Sequence, residues 1–494
     1  ETNLKVGTTG SELTQLAGTR GVGIVSIGEK SNITMGIGGL TLLNSSTTNE
    51  GSLGVYIKNS NIDNSAGGII KVGDNGAAAY LNAVDISRNI KLGKLESGKN
   101  SIGLYTENSS FIDSIESVTT GENSSGIYIK SGVFDNALVD ESKFYLGTGS
   151  NGYFLENGNL QSSLGSKDII LGDNLTGISM TGDSNLDGSI RSIKIGDRVL
   201  LSAQPIVLGV VNLDSDKSLF TGLYGGDGAV GLYYGAITNT SKVTYNGSGL
   251  GNPDIEVGEI GGVNSAVGAY AKNLSNANVL DLNNVYLRVN GDGSVAVGTN
   301  GATVNINGGK IEITGSGTLF VIQNNGNINI SPTTEIVTPD SNIEILTVAN
   351  STFSTNSGTN LIVPNSSVGI FARSSIITNE GKITSKIFSG TKAVQSTGIY
   401  IENLGYAVNK GTIDLGNEGI GLFGHYSIVT NDSIGTINIG DSGAGEYITL
   451  GSKTENAGKI TVGNKSIGIY ADDVAGITAL PGIGKENKIK NTGI

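Results

Sequence analysis

Apolar and polar residues alternate along this chain in short runs, such as Ile70-Lys-Val-Gly73, Ile413-Asp-Leu-Gly416 and Ile437-Asn-Ile-Gly440. Each run is β-branched, has period two and stops at Gly, Asn or Asp, the pattern of short strands closed by tight turns. The 3.6-residue period of a helix is nowhere sustained, so helical and leucine-rich repeats are excluded. The runs recur in a fixed frame, clearest in Asn456-Ala-Gly-Lys-Ile-Thr-Val-Gly-Asn-Lys-Ser-Ile-Gly-Ile-Tyr470. With the aromatic of Gly-Ile-Tyr, or its substitute, as a landmark, copies fall at Val25, Tyr56, Tyr80, Tyr105, Tyr128, Phe154, Met180, Tyr233, Tyr270, Val297, Phe320, Phe371, Tyr400, Phe423, Tyr447 and Tyr470. Successive separations are mostly 23 to 29 residues, and the two gaps of 53 and 51 each leave room for a degenerate copy, near Val207 and near Leu346. A fixed period in this range means a repeat architecture, here about eighteen units of roughly 25 residues. The expected fold is all-β: one continuous right-handed parallel β-helix over 1–494.

In such a fold equivalent positions of successive coils stack, so each aligned column is a physical ladder. The residues flanking the landmark share a face and are expected inside: Val55, Leu104, Ile127, Leu232, Ile370, Ile399, Leu422 and Ile469 before it, and Ile57, Leu81, Ile129, Leu155, Val321, Ile401 and Ile448 after it. The landmark aromatics then form an outward stripe. Two positions on, Lys58, Asn82, Glu107, Lys130 and Glu156, and later Arg373, Glu402, His425, Thr449 and Asp472, are expected to make a ladder of facing charges. Three positions on, Asn59, Asn108, Asn157, Asn273, Asn300 and Asn403 suggest a ladder of side-chain amides at a turn. Two positions before the landmark Gly recurs, at Gly54, Gly103, Gly126, Gly398 and Gly421 among others, as a bend of positive φ would require.

The largest break in the period lies between Tyr233 and Tyr270, 37 residues apart. The excess is placed at 234–261, as a loop inserted in the helix and protruding from it. Insertions in solenoids often carry binding, which makes Tyr234, Thr238, Tyr245, Asn246 and Asn252 the candidate binding residues.

Composition narrows the chemistry. The 494 residues include 77 Gly, no Cys, one His and a net charge of −13. No disulfide or thiolate metal site is available, and a nucleic-acid partner is disfavoured for want of clustered Lys and Arg. His425, the sole histidine, precludes a catalytic triad or a multi-histidine zinc site elsewhere and reads as a surface ladder residue. Polysaccharide lyases and hydrolases also use parallel β-helices, but their chemistry needs converging carboxylates. Here Asp74, Asp173, Asp197, Asp441 and Asp472 are scattered among turns, so no catalytic residue, metal or cofactor is assigned and the chain is expected not to be an enzyme. With no secretory signal at Glu1 and no obvious cap at Ile494, it reads as a piece of a longer protein.

The recurring Asn-x-Gly-x-Ile-x-Val-Gly…Ser-x-Gly-Ile-Tyr unit, clearest at 49–60, 121–131, 379–403, 409–424 and 456–472, resembles the passenger repeats of large autotransporters (type V secretion), most closely the fusobacterial outer-membrane adhesins. The resemblance runs through nearly the whole chain and is poorest at 181–228. It implies a passenger displayed on the bacterial cell surface and held to the outer membrane only by a C-terminal β-barrel outside this sequence. The partners it implies are host-cell glycans, receptor proteins or other bacterial surfaces. It carries no catalytic motif and assigns no functional residue.

Overall fold

In a computed structural model the chain is all-β, with parallel sheets stacked into a β-solenoid of about 15 turns. The structure describes residues 2–6, 13–16, 21–43, 51–84, 87–108, 110–164, 167–181, 184–186, 190–197, 212–213, 222–226, 228–235, 242–247, 251–262, 265–272, 279–472 and 487–494. The turn count is lower than eighteen, and Val207, where one degenerate copy was placed, lies outside the described residues. The other copy is present as the strand Ile343–Ala349. Contacts divide the chain into two compact units, Glu1–Glu259 with Leu280–Leu287, and Ile260–Val279 with Arg288–Ile494.

In the second unit each coil contributes up to three strands. One face stacks Val267–Lys272, Ser294–Asn300, Gly317–Gln323, Ile343–Ala349, Val368–Arg373, Thr397–Glu402, Ile420–His425, Ala444–Thr449 and Ile467–Asp472. A second stacks Thr352–Thr355, Ile376–Asn379, Tyr406–Asn409, Ile428–Asn431, Lys453–Asn456 and Lys488–Asn491. The third stacks Asn360–Val363, Lys382–Ser385, Thr412–Leu415, Thr436–Ile439 and Lys459–Val462. The first unit repeats the arrangement, its landmark strands including Leu53–Lys58, Ala77–Asn82, Ile102–Glu107 and Ser125–Asp135.

Register follows the repeat: Ile370, Ile399 and Leu422 are successive ladder partners, as are Phe371, Tyr400 and Phe423. Ile370, Ile399, Leu422, Ile401 and Ile448 are completely buried, and each such side chain contributes about 2 kcal/mol through removal of apolar area from water. The aromatics stack on one another outside: Tyr105–Tyr128 and Tyr128–Phe154 have ring centroids 4.9 and 4.8 Å apart, and Phe371–Tyr400 5.2 Å. Other neighbours, such as Tyr56–Tyr80 and Phe423–Tyr447, meet edge to face, and both arrangements hold successive coils together.

At four copies the ladder runs one residue away from the sequence landmark. Met180 pairs with Leu155, Val297 with Ala269 and Phe320 with Leu346; all of these side chains are buried. The outward positions are instead Ser179, Gly298, Val321 and Thr347. Val321 is therefore not a core residue. A slip of one residue exchanges the two faces of a strand, and here the larger apolar side chain takes the inside. Gly298 has its own reason: a Cβ there would lie 2.6 Å from the Tyr270 ring, which covers it.

The repeated Gly does not have positive φ. It sits where a Cβ would collide with the next coil: from Gly398 the Gly421 carbonyl oxygen is 2.6 Å away and the Ile413 side chain 2.8 Å, and from Gly421 the Gly445 carbonyl oxygen is 2.5 Å away. The left-handed bend lies five residues later, three after the landmark, at Asn59 (φ 46), Asn108 (φ 57), Asn157 (φ 52) and Asn403 (φ 54), and also at Ser131, Ser374 and Tyr426. Asn recurs there because it tolerates that conformation better than most residues. Asn273 lies outside the described residues, and Asn300 stands one position earlier, opposite Lys272 and Gln323. The continuous amide ladder is inside the second unit: Asn379, Asn409, Asn431, Asn456 and Asn491 are joined by amide bonds of 2.8, 2.9, 2.9 and 2.8 Å.

The charge column is only partly made of ion pairs. Arg373 meets Glu402 at 2.6 Å, but Glu107 accepts from the Tyr80 hydroxyl and Glu156 from the Tyr128 hydroxyl of the preceding coils. His425 Nδ1 is 3.0 Å from Thr449 Oγ1, within the same column. Turn carboxylates also serve the ladder: Asp74 accepts from the Lys99 N–H, Asp173 from that of Asp197, and Asp441 from that of Asn464.

Replacing Gly398 by Ala is expected to destabilise the protein by about 1–3 kcal/mol, because two rigid neighbours must shift. Gly358→Ala, whose nearest atom is the Asn356 side chain at 3.4 Å, is expected to change little. Denaturant unfolding of the two variants measures the difference.

Candidate functional site

The described part of 234–261 is not a protruding loop. Lys242–Asn246 and Ile255–Val257 join the sheet, with Thr244 opposite Asn212 and Ile255 opposite Leu223. Tyr234 and Tyr245 are core residues, 1% and 2% exposed. The Tyr245 hydroxyl donates to the Asp254 carbonyl at 3.1 Å, and burial holds its pKa well above the usual phenol value. Asn246 is half-buried and accepts from the Asn283 amide at 2.8 Å, and Asn252 is exposed. Thr238 lies outside the described residues. The two strands are the ordinary second and third strands of a coil, and of the five residues Tyr234 and Tyr245 point inward while Asn252 is exposed.

The ladder is broken elsewhere. Between Lys382–Ser385 and Thr397–Glu402 the chain leaves the solenoid as a two-stranded antiparallel hairpin, Ile387–Phe388 with Thr391–Lys392, the one antiparallel pair among the described residues. Its turn residues Ser389 (φ 47) and Gly390 (φ 86) both have positive φ, as a two-residue hairpin turn of matching twist requires. Lys386 anchors the base: its Nζ lies 2.9 Å from Asp340 Oδ1 and 5.3 Å from the centre of the Phe388 ring. Ile387 is 66% exposed at the edge. The local sequence signal is Ser389-Gly390 between short apolar-containing runs, hidden within an ordinary repeat spacing of 29 residues from Phe371 to Tyr400.

Beside this hairpin lies an open groove of about 390 Å³. Thr391 and Lys392 form one side, and Asp414, Asn438 and Thr461, from successive coils, form a polar floor. Lys392 Nζ is 2.6 Å from Asp414 Oδ1. Gly416, Gly440 and Gly463 run along the groove, and a Cβ at Gly440 or Gly463 would meet Asn417 or Asp441 at 2.5 or 2.4 Å. The surface thus combines a cation, a carboxylate, an amide and a hydroxyl with a strip bare of side chains. It suits an extended polar ligand. No group of three or more His, Cys, Asp or Glu placed to hold a metal ion occurs among the described residues.

One acidic side chain in this unit is buried in the core. Glu446 occupies the inward position between Leu422 and Ile469, is completely buried, and accepts from the Thr454 hydroxyl, while its Oε1 has no partner. Burial pushes its pKa up to about 7, against a small opposing effect of the Thr454 bond. Comparison of the chain with protein-family profiles, curated proteins and solved structures gives no match.

The raised pKa of Glu446 sets a sign. Between the ordinary glutamate value of 4.5 and about 7 the folded state binds more protons than the unfolded state, so stability falls as pH rises through this window. The loss approaches about 3 kcal/mol at most above pH 7. Unfolding midpoints at pH 5 and pH 8 should show this fall, and Glu446→Gln should remove most of it.

Proposed function

We propose that this chain is a cell-surface adhesin segment of a bacterial autotransporter, a non-catalytic β-solenoid attaching the cell to host cells or other bacteria through glycan or protein receptors. The observation that carries the reading is the break at 387–392. Along the ladders of the second unit outward groups such as Arg373, Glu402 and Glu455 serve the neighbouring coil, whereas the hairpin turns away from its ladder and flanks an open polar groove. The repeat resemblance supports the same reading, and the stacked coils suit a scaffold that projects a site from a surface. A groove floored by an amide, a hydroxyl and a paired Lys392–Asp414 offers donors and acceptors in a row, the chemistry of recognition of hydroxyl-rich or peptide ligands.

The test is a glycan-array and host-cell binding screen with the purified chain, set beside a variant lacking 387–392. The Ala393 N–H already bonds the Lys386 carbonyl at 2.7 Å, so joining those residues leaves the solenoid ladder in place. The variant is expected to lose about tenfold or more in affinity, about 1.4 kcal/mol, with unchanged thermal unfolding. Equal binding by both proteins would remove the site, and no binding by either would make the segment a spacer.

A further inference from the structure

A second group of polar side chains, in the first unit, is gathered in the coil, with Lys167 half-buried at its edge, and has no part in the groove. Asn136 follows the strand Ser125–Asp135 and is completely buried; Glu141 opens a single turn of 3-10 helix, Glu141–Lys143, and is 6% exposed; Lys167 begins the strand Lys167–Ile170 of the next coil. Lys167 Nζ lies 3.3 Å from Glu141 Oε2 and donates to the Asn136 main-chain carbonyl at 2.6 Å and to that of Val139. The Asn136 amide donates to Glu141 Oε1 at 3.4 Å, and its own Oδ1 is buried without a partner. The hydroxyl of the buried Tyr153 donates to the same Glu141 Oε1 at 2.5 Å. Phe134, Val139 and Leu160 are among the buried apolar residues nearby in the chain. A half-buried amine is therefore held against a buried carboxamide and a buried carboxyl group, with the carboxyl touching both of the others.

We propose that Lys167 and Asn136 join in a self-catalysed isopeptide bond, with Glu141 as the proton carrier. The Lys167 ammonium passes a proton to the Glu141 carboxylate, which leaves a neutral amine and a neutral acid. With the Asn136 amide turned so that its unpartnered Oδ1 takes the Glu141 contact now made by Nδ2, Nζ attacks Asn136 Cγ while Glu141 protonates Oδ1. The tetrahedral intermediate collapses with proton transfer from nitrogen through Glu141 to the departing amide nitrogen. A new Cγ–Nζ bond replaces the Cγ–Nδ2 bond, ammonia leaves and takes up the remaining proton as ammonium, and no oxidant or other reactant is needed. Burial, the dominant influence on Glu141, raises its pKa and favours the neutral acid this route requires, although Lys167 and the Tyr153 bond act the other way. Fixing the reacting groups side by side replaces a slow bimolecular condensation by an intramolecular one. The product ties two successive coils covalently, in a chain that has no cysteine for the purpose.

The test is mass spectrometry of the full chain after denaturation, followed by proteolysis. The intact mass should be lower than the sequence mass by one ammonia, and digestion should give a branched peptide joining Lys167 to Asn136. Glu141→Gln and Lys167→Arg should each have their full sequence mass. A wild-type chain at full mass overturns the proposal and leaves a buried ion pair. Loss of ammonia without a branched peptide, as in cyclisation of Asn136 onto the following main-chain nitrogen, also overturns it. A cross-link that survives Glu141→Gln rules out the carrier role of Glu141.

Discussion

Each coil of this protein meets the next at the spacing of two hydrogen-bonded strands, about 4.8 Å, and every other feature answers to that distance. Because the ladders are parallel and in register, a residue at a given place in the coil has the same place above and below it. A preference that is weak in one coil is then repeated along the stack. Ile stacks on Ile and Leu inside, Tyr and Phe stack outside, and the series from the buried Asn379 to the exposed Asn491 passes one amide hydrogen bond from coil to coil. The same spacing explains the glycine column. Backbones approach so closely at Gly398, Gly421 and Gly445 that a carbonyl oxygen occupies the place of a Cβ.

Such stacking satisfies polar groups as efficiently as it buries apolar ones. Carboxylates that look in isolation like catalytic or metal-binding material accept from a main-chain N–H or a tyrosine hydroxyl one coil away, as Asp74, Asp441 and Glu107 do. Function is therefore sought where the repeat is interrupted. The hairpin at 387–392 is such an interruption, since it takes main-chain groups out of the parallel ladder and pairs them with each other. The groove beside it depends equally on the repeat, because its floor is a column of short polar residues and its bare strip a column of glycines.

Among the buried acidic groups of the described residues, Glu446 and Glu141 differ in their partners. Glu446 replaces the aliphatic residue of its column and is left with one hydroxyl partner. Glu141 is held by a lysine, a tyrosine and an amide together. The difference matters chemically. A buried acid with one neutral partner is a source of pH-dependent stability, whereas one placed between an amine and a carboxamide can move a proton between them.

The sequence by itself determined the class of fold, the approximate period and most of the inward and outward columns, because alternation over three or four residues and a recurring glycine are local signals repeated many times. It also placed Leu346 in a hidden copy, though one position away from the outward face. Tertiary structure decided which of two adjacent apolar residues turns inward, as at Val297 and Gly298, since both orders satisfy the local pattern and only packing against Ala269 and Tyr270 separates them. It decided that Tyr245 lies in the core and that Lys242–Asn246 is a ladder strand, because a longer interval between landmarks does not say in sequence which of its residues pair. The hairpin at 387–392 was concealed for the converse reason, its residues being accommodated within a normal spacing. The meeting of Asn136, Glu141 and Lys167 belongs wholly to the folded chain, because it is the coil-to-coil stacking that returns residue 167 to the side of residue 136.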